Sequence, residues 1–555
     1  MAAQSPTQAP AVTGRSVAEF VVAQLGLWGV QHMFGVQGRS ILGLLDALRR
    51  QDAIRYVETR DEGAAALMAS AYAKLTGRLS VCVGSTGPGV TNLLTGLYDA
   101  QADGAPVLAL CGEDCRGAIG RGAYQAIDQH ALFETSSHFN HDLMDPRQTP
   151  ELLMLASKAA IERQGVARLG IPSDVEREMV NGRLIGPSGH LVQERWTSPA
   201  QRVAEAVELL SNATRPVVLV GRGARHSRDA VARCASTFDA PVVTTCPAKG
   251  SVAEQYPLSM GVVGRFGTSL ADDAVRQADV LLVVGCSLSE NTTEGWTLIS
   301  DATRVIQIDT DSSRIGRNHA VTLPLVGDAF LTLEEINRQA KPVQHPDYVK
   351  SLAGQKRDWT ARIDQQAQSD HVPILPQRVI HELAQTCADD AIIALDVGDH
   401  AVFYCQQFPV RNQTTLVSGR MGVMGFSIPA ANAAKLAFPA RQAIALCGDG
   451  GFSSIMGEFL TAMQYKLPIV VVLMDNDELG MARTEQEHDQ FQPAGYYTKL
   501  AGCDYAAFAS ACGGMGCRVS QPAQLRQALE NAFMAGIPSL VQVNVDPNAR
   551  PSFQG

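Results

Sequence analysis

Charge is scarce in this sequence: of 555 residues only 18% are Asp, Glu, Lys or Arg, and 46 basic side chains face 56 acidic ones, a formal net charge of −10. No basic stripe interrupts that balance, so the electrostatic footprint of a DNA- or RNA-binding protein is missing and nucleic acid is not expected as a partner. Long apolar runs are missing too. The runs VLLVVG and PIVVVLM are far shorter than the roughly 20 residues of a bilayer-spanning helix. The opening MAAQSPTQAPAVTG has neither the positive n-region nor the apolar core of a secretory leader. No membrane partner and a cytoplasmic location are therefore expected. The twelve cysteines lack the density and regular spacing of a secreted disulfide scaffold, which points to a reducing compartment. Cys111 and Cys115 form a lone C-x3-C with no second ligand pair, and read as packing residues rather than a metal site.

What is present is apolar residue, 46% of the chain, with 49 glycines spread along it, the composition of a globular α/β protein. The length exceeds what one core can organise. From Val17 onward, helical stretches such as EGAAALMASAYAKLTG alternate with short β-branched runs such as LSVCVGS, the pattern of parallel strands covered by helices. Periodicity lapses in VNGRLIGPSGHLVQERWTSPA, which reads as a linker. It resumes with PVVLVG, lapses again in a polar, helical connector after Gln339, and returns with AIIALDVG. The expected fold is α/β, three doubly wound parallel-sheet domains in series, at 14–185, 199–340 and 375–549.

The densest chemistry lies in QAIALCGDGGFSSIMGEFLTAMQYKLPIVVVLMDNDELG. It reads as a buried strand, a Gly-Asp-Gly turn, a helix and a second buried strand ending at Asp-Asn. Both polar clusters then fall at carboxyl ends of parallel strands, where α/β sheets bind ligands. Asp449 and Asn476 offer hard oxygen donors of the kind magnesium takes. Gly448, Gly450 and Gly451 allow close approach of a diphosphate, and the helix that follows presents unpaired N–H groups to it. Glu62, in YVETRDEGAAALMASAYAKLTGR, opens a helix after a buried strand; a carboxylate there is ordinarily a partner of the helix dipole. Met424, in RMGVMGFSIPAANAAK, is on periodicity alone a gap-filler.

Together these segments resemble the thiamine-diphosphate (ThDP) enzymes of the acetolactate synthase and pyruvate oxidase group, over about residues 14 to 548. The resemblance implies that Asp449, Asn476 and the main-chain carbonyl of Glu478 hold magnesium, with Leu479, Gly480 and Met481 also against the cofactor. It gives Glu62 a proton-sharing role at N1′ of the aminopyrimidine, which prepares C2 of the thiazolium to lose its proton. Met424 becomes the apolar prop under the bent cofactor. STGPGVTN, with Pro88 and Asn92, becomes the wall on the pyrimidine side, while Gln37, Gln125 and His138 face the substrate. Asp61 stands where many relatives carry histidine.

Substrate positions depart from the synthases, which carry lysine, arginine and tryptophan where His138, Asn291 and Leu479 align. The middle unit is where synthases and oxidases bind FAD. Its GRGARH lacks the third glycine of a dinucleotide fingerprint, yet GVVGRFGTSLADDAV and IQIDTD resemble nucleotide-contact segments, so FAD is carried as an open cofactor assignment. The ending VNVDPNARPSFQG shows neither the synthases' long closing arm nor the membrane-binding tail of quinone-linked oxidases. The reaction implied is decarboxylation of a 2-oxo acid such as pyruvate, with transfer of the acyl carbanion to a carbonyl acceptor. Alternatives are cleavage or formation of 2-hydroxy ketones or 2-hydroxyacyl-CoA thioesters, and a pyruvate oxidase-like reaction. Retention of Glu62, Asp449 and Asn476 argues against a non-catalytic paralogue, and a homodimer or homotetramer is expected.

Overall fold

The computed structural model describes residues 11–192 and 194–551. Most of the leader reading, one residue of the linker and the last four residues lie outside that range. Three six-stranded parallel sheets follow one another along the chain. The first runs, edge to edge, through Arg55–Glu58, His32–Gly35, Ser80–Gly84, Val107–Glu113, Val166–Pro172 and Phe139–Asp142. In order of appearance that is 2-1-3-4-6-5. The third sheet repeats this order with Thr414–Val417, Ile392–Leu395, Ala443–Gly448, Ile469–Asp475, Ser539–Asn544 and Met515–Val519. The middle sheet is wound differently, as 3-2-1-4-5-6, with Pro216–Val220 beside Val280–Val284 at its centre.

The strands read as continuous apolar runs because helices cover both faces of a parallel sheet. SVCVG, VLLVV and IVVVLMD are buried at every position. One strand escapes the apolar-run signal: Phe139–Asp142 is an edge strand of sequence FNHD, half-buried or exposed throughout. The segment beginning VNGR is also more ordered than a linker. Met179–Arg183 pairs antiparallel with Ala11–Ser16. The connector after Gln339 is a 22-residue helix, Pro346–Ala367, whose charged faces leave only Leu352 and Ala367 buried. Of the two C-x3-C cysteines, Cys111 packs in the core, whereas Cys115 is exposed in a loop and is not a packing residue.

The outer domains also pack against each other within the chain. The alanine-rich helix Glu62–Thr76 lies against Ser427–Ala437, small residues on both letting the backbones approach, and one apolar core runs continuously through both sheets. Asp61 caps the first of these helices by accepting from the Ala64 N–H at 3.1 Å, and Gly77, at φ 68°, ends it.

Candidate active site

In the third domain, strands one, three and four deliver their next residues to one spot. Asp449 opens the helix Asp449–Ile455 directly after its strand, and Asn476 follows Ile469–Asp475. The Glu478 N–H donates to Asp449 Oδ2 at 3.1 Å and to Asn476 Oδ1 at 3.2 Å, so the two side chains converge. The Glu478 carboxylate turns away. It is buried against Thr498 Oγ1 (2.6 Å), Arg483 (3.2 Å) and Lys499 (3.3 Å), while its main-chain carbonyl accepts from the Gly480 N–H at 2.9 Å. Burial of the Glu478 carboxylate is outweighed by those partners, which hold it below its ordinary value.

The site is crowded with negative charge. Asp449, Asp475 and Asp477 each present an oxygen within 4.8 Å of one another. Burial first, and then the neighbouring Asp475, push the Asp449 carboxyl up to about 7. A divalent cation would offset that crowding, and the all-oxygen donor set fits magnesium. The sequence pattern points to Asp449 and Asn476, and the family resemblance adds Glu478; Asp475 and Asp477 come to the cluster only through the fold.

The glycines form a cradle. A methyl group at Gly450 would meet Leu479 Cδ2 at 2.4 Å, at Gly451 Asp396 Oδ1 at 2.8 Å, and at Gly480 Asp399 Oδ2 at 2.6 Å. Beside them, helix Asp399–Gln407 begins after the first strand and brings a residue that sequence reasoning missed. His400 is buried and its Nε2 has no partner; Asp399 Oδ1 is likewise buried and unpaired. Burial holds the imidazole below its ordinary value. The signal was present as AIIALDVGDH, a strand, a glycine turn and a helix start, repeating the logic of ALCGDGG. The helices that begin at Asp399, Asp449 and Gly480 thus start close to one another, an arrangement whose first-turn N–H groups suit a diphosphate.

In the first domain the corresponding edge gathers the other candidates. Glu62 is the first residue of its helix, but capping falls to Asp61; the Glu62 carboxylate instead accepts from Asn92 Nδ2 at 3.1 Å and lies over Gly89. Gln37 is exposed in the turn after His32–Gly35, whose Gly38 leaves no room for a Cβ: it would meet Ser85 Cβ at 2.2 Å. Gln125, at φ 70°, packs its backbone against Gly87, beside Pro88. Gln37, Glu62, Asn92 and Gln125 therefore share one rim. His138 does not. It sits at the amino end of Phe139–Asp142, with Gln101 Nε2 at 3.0 Å from its Nε2, so the sheet separates it from Glu62 and its substrate-facing assignment is withdrawn.

Within one chain the two edges are not joined: among the described residues no hydrogen bond or ion pair links the Glu62 group to the Asp449 group. Glu62's neighbours are pinned elsewhere on the third domain, the Arg60 N–H to Glu458 (2.7 Å) and the Glu58 N–H to Tyr465 (2.7 Å). Met424 is 44% exposed, in the turn leading into Ser427–Ala437.

A cavity of about 440 Å³ lies at the carboxyl ends of the middle domain's strands, walled also by Lys74 and Asp103 of the first domain and by Asp396, Gly419 and Arg420 of the third. Gly221 and Gly285 meet at its floor, where the winding reverses; a methyl group at Gly221 would lie 2.3 Å from the Gly285 carbonyl. Arg222, Arg225, Arg314 and Arg420 line it, with Asp309 at a strand end. Burial first, and then Arg222, lower Arg225 to about 10.

Three family descriptions match in series: thiamine pyrophosphate enzyme, N-terminal TPP binding domain over residues 15–132, central domain over 203–336, and C-terminal TPP binding domain over 396–543. Among full-length relatives, the Bacillus subtilis protein YdaP, named only as thiamine pyrophosphate-containing, is 35% identical over 520 residues, 93% of this chain and 89% of its own. The pyruvate oxidase of Lactiplantibacillus plantarum is 31% identical, covering 92% and 85%. The acetolactate synthase isozyme 2 large subunit of Escherichia coli is 28% identical, covering 95% of each. The chain belongs to the thiamine pyrophosphate-dependent enzymes of the acetolactate synthase and pyruvate oxidase type.

Proposed function

We propose that the protein decarboxylates a 2-oxo acid of the pyruvate class and transfers the acyl unit to a carbonyl acceptor, using ThDP and magnesium in a site shared between two copies of the chain. The observation that carries this reading is the pair of complementary, unjoined edges. One offers a carboxylate with an amide wall, the other a glycine cradle beside a carboxylate cluster suited to a cation, and a two-fold dimer brings such edges together. Exposed apolar side chains near both rims, Tyr124 and Leu42 on one and Met421 and Met424 on the other, supply surface for that contact.

When bound, ThDP supplies the carbon centre that accepts the substrate and the electron sink for decarboxylation. The chain's own groups do the rest. Asp449, Asn476 and the Glu478 carbonyl hold the metal, while the His400 imidazole and the helix N-termini hold the diphosphate. Met424 props the rings. Glu62, oriented by Asn92, holds a proton at the aminopyrimidine, and Gln37 and Gln125 contact the bound substrate. The arginine-lined cavity suits the diphosphate of FAD, which we assign to it as a second cofactor.

A screen of 2-oxo acids and aldehydes with purified protein, together with its visible absorbance, tests substrate and flavin; light scattering tests the shared site. A fully active monomer would end the shared-site reading. One observation favours a second acceptor chemistry: Leu479 packs over Gly450 and brings no cation for the carboxylate of a second 2-oxo acid. A 2-hydroxy ketone or 2-hydroxyacyl thioester reaction is therefore included in the screen.

A further inference from the structure

Cys246 and Cys405 belong to different domains and meet at the wall between two cavities. Their sulfurs are 3.2 Å apart, with the Cys405 thiol donating to Cys246, the only thiol–thiol hydrogen bond among the described residues. Cys246 opens a short turn, Cys246–Ala248, after the middle-domain strand Val242–Thr244, and lines the 440 Å³ cavity. Cys405 lies in helix Asp399–Gln407 and borders a second cavity of about 420 Å³ between the connector helix and the third domain.

The pair is held from both sides. Lys249, almost fully buried, donates to the Cys405 carbonyl at 3.2 Å and pairs with Glu254 at 2.5 Å. Gln406 Nε2 donates to the Gly267 carbonyl at 2.8 Å. Bonding thus requires the sulfurs to close by only about an ångström.

We propose that Cys246 and Cys405 are a reversible redox site, in which Cys246 reacts with a peroxide and Cys405 resolves it to an interdomain disulfide. The Cys246 sulfur, half-exposed to the cavity and accepting the hydrogen bond, attacks the peroxide O–O bond; it becomes a sulfenic acid and releases one water. The Cys405 sulfur then attacks the Cys246 sulfur, and the S–OH oxygen leaves as the second water. Two thiols lose two electrons and two protons, and hydrogen peroxide gains them. The product clamps the middle domain to the helix whose first turn carries Asp399 and His400. A thiol reductant reverses it.

The test treats the full-length protein with stoichiometric hydrogen peroxide, blocks remaining thiols with N-ethylmaleimide and maps peptides without reduction. The expected result is loss of maleimide labelling at both residues and a Cys246–Cys405 linked peptide that dithiothreitol abolishes. In Cys405→Ala the peroxide product should stop at a dimedone-reactive Cys246, and in Cys246→Ser Cys405 should stay maleimide-reactive once the protein is denatured. Both thiols still labelled after peroxide, or Cys246 linked to another cysteine, would overturn the proposal. The wild-type map alone decides it if a variant fails to fold.

Discussion

The first and third domains are built alike and used differently. Both wind six parallel strands in the order 2-1-3-4-6-5, and both put most of their candidate groups after strands one to three, around the place where the winding reverses, with Gln125 and Asn476 following strand four. On the first sheet those positions hold Gln37, Glu62 and Ser85–Pro88, mostly uncharged, with Gln37 and Pro88 exposed and Glu62 half-buried. On the third they hold Asp399 and His400, Met424, and Asp449, where acids are crowded and buried. The shared topology supplies a ligand edge, and the side chains decide what it binds. The third domain is suited to a metal and a diphosphate, the first to an organic ring that exchanges a proton.

The largest test of that division is Asp449→Ala. Removing a charged ligand leaves the diphosphate without its counter-ion, so calorimetric titration with ThDP and magnesium should show no binding. Unchanged affinity would refute the metal assignment.

Glu62→Gln probes the opposite edge. It keeps shape and a hydrogen bond to Asn92 but cannot share a proton as a carboxylate does. ThDP affinity should change little while turnover falls by about two orders of magnitude. C2–H exchange in deuterated buffer, followed by NMR, reads the activation step independently of the substrate. A wild-type exchange rate in the variant would remove Glu62 from the chemistry.

Where the domains join, Glu458 accepts from the Arg60 N–H and from Thr461, and burial, the largest influence, raises its carboxyl to about 7. A carboxyl raised above its unfolded value of 4.5 contributes stability that is fully present below that pH and lost as pH rises through about 7. Glu458→Gln stays neutral and should flatten this part of the stability curve. Its difference from wild type should grow by on the order of 3 kcal/mol between acid and alkaline limits. Urea unfolding across pH measures it, and parallel curves would count against the assignment.

The smallest effect is expected for Asp61→Ala, which removes a helix cap and should cost about 1 kcal/mol in chemical unfolding. C2–H exchange should stay close to wild type, because capping and catalysis fall to adjacent residues. If exchange collapses as in Glu62→Gln, the two roles cannot be separated.

Strand and helix order was legible where periodicity and burial agree. Runs such as IVVVLMD must be buried on both faces, so the parallel sheets could be read directly, and glycine-acid-glycine after such a run marked the ligand edge. The edge strand Phe139–Asp142 was not legible, because a strand with one free edge needs no apolar run. His138 was placed by likeness of position, and the sheet put it at the wrong end. His400 carried a usable signal that was passed over, since a histidine after a glycine turn is unremarkable until burial leaves it without a partner.

The sequence by itself determined the fold class, the two ligand-edge segments and the family, because these depend on local alternation and on short motifs whose residues are neighbours in the chain. Only the tertiary structure decided that Asp475 and Asp477 crowd Asp449, that Asp61 caps while Glu62 is free to act, and that Cys246 meets Cys405 across 159 positions of chain. Each of these is a contact between segments brought together by sheet winding and domain packing. No periodicity records such contacts, since periodicity fixes which face a residue occupies and not what packs against it.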